Sequence, residues 1–199
     1  MTAAFPVVLL PPDDDRLLAL TKSLADVDYS YPTDLLGGTW SDELPEGWFA
    51  DDTTKPIGKG LRAFERGVAA LHRWTQFDLG WVTPLSTTVP IAEGQLFAFT
   101  SRQIAVWSVN VCRIVRVVDD RVGPLRRFGF SYGTLDRHAV RGEERFLLTY
   151  DERTDEVAFG IRKFSLPAHW LLWATLPLVR YVQERFTHEA IARIAREVE

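Results

Sequence analysis

The spacing of apolar side chains changes near residue 77, and that change constrains the fold more than any other feature. From Phe77 to Ser165 they recur at every second position. Leu79, Trp81, Thr83, Leu85, Thr87 and Val89 alternate with mostly polar or small residues, and Trp107, Val109 and Val111 alternate with Ser108, Asn110 and Cys112. Phe128, Phe130, Tyr132 and Thr134 alternate with Gly129, Ser131 and Gly133. Phe146, Leu148 and Tyr150 follow, then Val157, Phe159 and Ile161. Successive strand side chains point to opposite faces, so this pattern predicts an antiparallel sheet of about six to seven strands with one apolar face. Asp119-Asp120 and the run from Asp151 to Asp155 supply turns between strands.

On either side of this stretch the period is helical. Asp13-Asp14-Asp15 opens a short helix over Asp14 to Ala25, because acidic residues oppose the dipole at a helix start. Tyr29 to Thr39 reads as a strand with a turn or bulge at Gly37-Gly38, and Ser41 to Gly60 as a long loop rich in Pro, Gly and Asp. Leu61, Phe64, Val68, Leu71 and Trp74 predict an amphipathic helix over 61–76. Leu171, Ala174, Leu178, Val182, Phe186, Ala190 and Ile194 form one stripe on a helix that starts at Pro167, is capped by Ser165 and is kinked by Pro177.

The expected fold is α+β, with residues 1–199 as one domain. It comprises an N-terminal helical segment (1–28), a sheet with an inserted helix near 61–76 (29–165), and a C-terminal helix (166–199). An apolar sheet face needs a cover, and the long helix supplies one. A curved antiparallel sheet wrapped on a terminal helix is the helix-grip plan. Leu171, Leu178, Val182 and Phe186 are expected to lie buried against it.

The chain carries seven Trp, twelve Phe and five Tyr. Wide aromatic side chains fill cores and also line ligand cavities, and composition does not separate the two uses. The formal net charge of −4 argues against a nucleic-acid partner, whose phosphates call for a basic excess. The cluster Arg121, Arg126 and Arg127 reads as solvated arginines at a hairpin turn. The one cysteine, Cys112, permits no internal disulfide and is expected to be a buried, inert thiol. The run from Met1 to Asp15 lacks a positive start and is broken by prolines, so it does not read as a signal peptide. The apolar stretch from Pro167 to Val179 is shorter than the ~20 residues of a spanning helix. A cytoplasmic location is expected by elimination.

Glu144 shares strand parity with Phe146 and Leu148, so its carboxylate should point inward. Such a group needs a cation, and Arg113, Arg116 and Arg180 are candidates. Tyr132 and Thr134 share a face with Phe128 and Phe130. Hairpin pairing across 137–142 would set Tyr132 beside Glu144, unless a bulge at Gly133 reverses its direction. Either an acid/base site or a structural ion pair would use these groups. Trp107, Asn110, His138, Arg180 and Gln183 join Tyr132, Thr134 and Glu144 as candidate ligand-binding residues.

His138, separated by four residues from Glu143-Glu144, does not match a metal-binding spacing, and His72, His169 and His188 are ungrouped. No dinucleotide, phosphate-loop or nucleophile-elbow motif occurs, so neither metal nor cofactor is expected. Gly58-Lys59-Gly60 is a weak anion-site string. Trp170 and Trp173 would plug a cavity mouth, touch a membrane surface, or pack on the loop over 41–60. Membrane contact is the less favoured of these.

Two strings carry a resemblance: Gly129-Phe130-Ser131-Tyr132-Gly133-Thr134-Leu135 followed by His138, and Gly142-Glu143-Glu144-Arg145-Phe146. Together they resemble the signature of an uncharacterised family of bacterial and plant proteins, domain of unknown function nineteen-ninety. Tyr31 with Gly37 and Thr39, Ala70-Leu71 with Trp74 and Phe77, Gly80-Trp81-Val82, Phe164-Ser165 with Pro167, and Pro177-Leu178-Val179-Arg180 extend the likeness across most of the chain. Gly38 departs from it, where the family more often has Ala. The resemblance implies a helix-grip fold of the START and birch-pollen-allergen type, and no activity, since that fold serves carriers, receptors and enzymes alike.

Three functions stay open at this point. The first is a protein holding a small apolar or amphipathic ligand between sheet and C-terminal helix. The second is an enzyme using Glu144 and Tyr132 as acid/base groups in that cavity, and the third is a partner-binding module with a filled core. Nothing in the sequence indicates the oligomeric state.

Overall fold

The computed structural model describes residues 7–8, 14–103, 106–135 and 138–199. The N-terminal run from Met1 to Asp15, which does not read as a signal peptide, falls mostly outside these residues, as do positions 136–137 of the expected hairpin connection. The described strands are β1 (Val7–Val8), β2 (Phe49–Lys59), β3 (Val82–Pro84), β4 (Leu96–Gln103), β5 (Val106–Val122), β6 (Leu125–Thr134), β7 (Val140–Asp151) and β8 (Glu156–Pro167). The helices are α1 (Asp14–Ser23), α2 (Leu61–His72), α3 (Trp170–Ala174) and α4 (Leu176–Val198).

The fold is α+β. Seven strands form one antiparallel sheet in the order β2-β8-β7-β6-β5-β4-β3, and β1 pairs with β5 at Ser108 and Trp107. The sheet curls into a half-barrel around α4. Arg180 on α4 reaches Asp51 on β2 at 2.7 Å, while Glu189 on the same helix accepts a hydrogen bond from the Trp81 indole beside β3 at 2.6 Å. One helix therefore touches both edges of the sheet.

Alternation places the core. Phe128, Phe130, Tyr132, Phe146, Leu148, Phe159 and Ile161 all point to the concave side and are buried there. Ala63, Phe64, Ala70 and Leu71 of α2 cover one half of that side, together with Ala190, Ile191, Ile194 and Val198 of α4. Gly67 lets α2 approach closely, since a Cβ there would come within 2.7 Å of Leu148 Cδ2. The convex side carries a smaller cluster in which Val109, Val111 and Ala98 pack with Leu24 and Leu135.

Four expectations need correction. The segment over 41–60 is not all loop, because residues 49–59 form β2. As an edge strand it pairs only with β8, which tolerates Pro56 beside a register shift between Pro56 and Gly58. Tyr29 to Thr39 is not a strand. Tyr29 makes one bridge to Leu135, after which two short 3-10 turns, Thr33–Leu35 and Gly38–Trp40, follow. The alternation over 79–89 yields only the three-residue β3, ended by Pro84 at the sheet edge.

The C-terminal helix starts later than expected and in two pieces. β8 runs on to Pro167, His169 rather than Ser165 caps α3, and Pro177 sits in the first turn of α4 instead of kinking a longer helix. Of the stripe expected to be buried, Leu171 is 42% and Leu178 52% exposed, and Val182 and Phe186 are half-buried. The start of α4 stands away from the sheet, and its far end closes on the core.

Candidate functional site

That separation leaves a cavity of about 460 Å³ between the concave face and the start of α4. Phe77 marks the boundary between cavity and packed core. Its ring is fully buried and lies within 6.1 Å of the rings of Phe97, Phe99, Tyr132, Phe146 and Phe186. Phe99, Tyr132 and Phe186 turn their other sides to the cavity, while Val82, Leu172, Val179 and Val182 supply further apolar wall. Leu178 lines the cavity and is half exposed, which places it at the mouth. The aromatics thus both fill the packed core and line the cavity.

A polar cluster lies in this apolar wall. Tyr132 and Glu144 are directly paired across β6 and β7, and the Tyr132 hydroxyl donates to Glu144 Oε2. No bulge occurs at Gly133; the register shift lies on β5 between Ile114 and Arg116, and both side chains keep their inward direction. Glu144 is also paired across to Lys163 on β8, whose Nζ lies 3.5 Å from Glu144 Oε1.

Lys163 is the cation, in place of the expected arginines. Arg113 donates to the Leu24 and Ala25 carbonyls, Arg116 lies over the Trp40 ring, and Arg180 pairs with Asp51. Lys163 Nζ further donates to the Gln183 carbonyl at 3.0 Å and to Thr187 Oγ1 at 2.6 Å, which ties the cluster to α4. Burial and the neighbouring Glu144 charge hold the Tyr132 hydroxyl well above its ordinary pKa, so it keeps its proton. The same two causes raise Cys112, which is buried on this side.

Seven of the eight sequence candidates line the cavity: Trp107, Asn110, Tyr132, Thr134, His138, Glu144 and Gln183. Arg180 does not; it is held outside by Asp51 and the Phe49 ring. Thr134 has its hydroxyl committed to Ser30 Oγ at 2.7 Å and to the Gly142 amide at 2.9 Å. Gln183 donates to Ser165 Oγ at 2.8 Å, and Asn110 donates to Ser108 Oγ at 3.2 Å. Burial lowers the His138 pKa to about 4, so the imidazole is neutral near pH 7.

Lys163 was missed, although its parity with Val157, Phe159 and Ile161 was a usable signal. Gln103, on the cavity side of β4 with Phe99 and Ser101, was missed as well. Among the described residues no group of three His, Cys, Asp or Glu side chains is placed to hold a metal ion.

Glu143 points to the convex side and does a different job. Its carboxylate accepts from the Tyr31 hydroxyl at 3.0 Å, the Gly37 amide at 2.8 Å, and both the amide and hydroxyl of Thr39. It pins residues 31–39 to the sheet. Trp40 adds an indole bond to Ser131 Oγ at 2.9 Å, with Arg116 and Arg145 over its ring.

The other sequence features resolve simply. Arg121 and Arg126 pair with Glu152, and Arg127 pairs with Asp120, around the β5–β6 hairpin. Trp173 lies 6.0 Å from the Phe49 ring and Trp170 is 68% exposed. Among the described residues no helix is long and apolar enough to cross a membrane.

Comparison with known proteins bears on identity and fold. The chain is 33% identical over 155 residues to a UPF0548 protein of Dictyostelium discoideum, covering 74% of this chain and 72% of that one. It is 28% identical over 156 residues to a UPF0548 protein of Arabidopsis thaliana, covering 77% and 75%. A hypothetical protein of Helicobacter pylori, solved by crystallography, superposes with a TM-score of 0.51 at 8% identity, over 85% of this chain and 95% of that one. At that identity the likeness concerns the fold alone. The profile of the family described as "Domain of unknown function (DUF1990)" matches residues 33–193, which include all of β2 to β8 and the polar cluster, and the chain belongs to that family.

Proposed function

We propose that this protein binds a small apolar or amphipathic ligand in the cavity between its curled sheet and the start of α4. The observation that carries this reading is the cavity itself, about 460 Å³ with mostly apolar walls and a few inward polar groups. That size and character suit a small organic molecule. The strand order and the terminal helix support placement in the helix-grip class, among START-like folds. In a partner-binding module with a filled core, α4 would close on the sheet along its whole length.

An acid/base enzyme built on Glu144 and Tyr132 draws less support. Both Glu144 oxygens are engaged, by Tyr132 and Lys163, and the tyrosine holds its proton tightly. The cluster fits better as a buried structural network.

Native mass spectrometry of freshly purified protein tests the proposal. A co-purified mass that is lost on denaturation, and is absent from a Val182→Trp variant with a filled cavity, is the expected result. A bare chain that also fails to bind anilinonaphthalene sulfonate saturably would overturn it.

A further inference from the structure

The polar groups on the cavity wall are not equally satisfied, and the difference points to a class of ligand. Glu144, Lys163, Tyr132, Thr134 and Gln183 all have protein partners. Two buried nitrogens on cavity-lining residues have none, His138 Nε2 and Gln103 Nε2. Buried polar atoms without partners are uncommon and call for an explanation.

Both of these atoms are donors. The Val140 amide donates to His138 Nδ1 at 3.2 Å, so Nδ1 carries no proton and the neutral ring must carry it on Nε2. Burial keeps the ring neutral near pH 7. The Gln103 amide nitrogen offers two further N–H groups. His138 lies beside Phe99, whose ring is 6.1 Å from the imidazole, and Gln103 stands four residues further along the cavity side of β4. Among the described lining residues the Lys163 ammonium is matched by Glu144 and the Glu143 carboxylate is engaged on the convex side, so none of them presents a free charge to the ligand.

Building on the proposed binding function, we infer that the ligand is uncharged and carries a hydrogen-bond-accepting oxygen, such as a ketone, ester or amide carbonyl, which accepts from His138 Nε2 while its apolar body lies along α4, with Gln103 Nε2 as a second donor further along β4. An unpaired donor costs most where no water replaces its partner, so a carbonyl gains there and a hydrocarbon does not.

The test compares butyrophenone with pentylbenzene, two molecules of equal heavy-atom count that differ in the carbonyl. Affinities are read by displacement of anilinonaphthalene sulfonate. In the His138→Leu/Gln103→Leu double variant, butyrophenone should weaken up to about tenfold relative to pentylbenzene, the loss expected when the donor to its carbonyl is removed. In the wild-type protein, nitrogen-edited NMR should show the His138 Nε2 proton moving downfield with butyrophenone and not with pentylbenzene. This second readout stands if the variant does not fold. An unchanged affinity ratio and an unmoved Nε2 proton, with both compounds bound, would overturn this inference and leave the cavity reading standing. Failure of both compounds to displace the dye would overturn the two together.

Discussion

The hydroxyl of Tyr132 donates to the carboxylate of Glu144 from the directly opposed position on the next strand, and the far oxygen of that carboxylate faces Lys163 one strand further on. Three adjacent strands thus contribute one side chain each to a buried row. Lys163 is only 4% exposed, so its charge depends on Glu144 for compensation.

Removing Glu144 should therefore cost more than a single hydrogen bond. Glu144→Ala leaves a buried ammonium without its counter-charge and should lower stability by about 3–5 kcal/mol. Glu144→Gln keeps an acceptor for Tyr132 and should cost less. The double change Glu144→Leu/Lys163→Met should recover much of the loss, because it removes both charges together. Urea denaturation of the four proteins checks this. Equal stability of Glu144→Ala and wild type would show that the pair is not a structural unit.

Glu143 makes a separate prediction on the opposite face. Its two oxygens serve four donors from Tyr31, Gly37 and Thr39. An amide cannot replace it, because its NH₂ group would confront donors. Glu143→Gln should cost about 1–3 kcal/mol, and the Gly37 and Thr39 amides should exchange with deuterium much faster. Unchanged exchange at both amides would show that the carboxylate is not the fastener.

How much of this was legible in the sequence follows from what each signal depends on. Strand parity is local. Alternation at Phe128, Phe130 and Tyr132, and again at Glu144, Phe146 and Leu148, carried the inward direction of the Tyr132–Glu144 pair, and would have carried Lys163 too. The edge strand β2 was obscured because only one side of it is paired, which lets Pro56 and a run of polar residues stand in it. Helical periodicity marks which residues share a stripe, not whether the partner surface reaches them, so the exposure of Leu171 and Leu178 could not be read from it. The unpartnered nitrogens of His138 and Gln103 depend on where distant strands end, which no local pattern records.

The buried His138 should leave a pH signature. Its pKa is about 4 in the fold against about 6.5 in the unfolded chain, so the unfolded chain takes up the proton first as pH falls. Stability should be constant with respect to this group above about pH 6.5 and fall between about 6.5 and 4, by on the order of 1–3 kcal/mol. Comparing denaturant midpoints of wild type and His138→Gln across that range isolates the contribution. Parallel curves would show that the imidazole is not held neutral by burial.

Cys112 is fully buried, and its pKa is raised by burial and by the Glu144 charge. The thiolate is the reactive form, so a disulfide reagent should modify the native protein only at the rate at which it opens. Rapid, complete modification without denaturant would contradict the packing of β5 on this face.

The central claim is that the space beneath the start of α4 receives a ligand. Methyl-selective NMR with butyrophenone as probe tests it most directly. The account predicts saturable shifts of the Leu172, Val179 and Val182 methyl groups, with those of Leu148 and Ile194 in the packed half of the core unmoved. Methyl resonances that do not respond, or shifts confined to the convex face around Val109 and Val111, would contradict it.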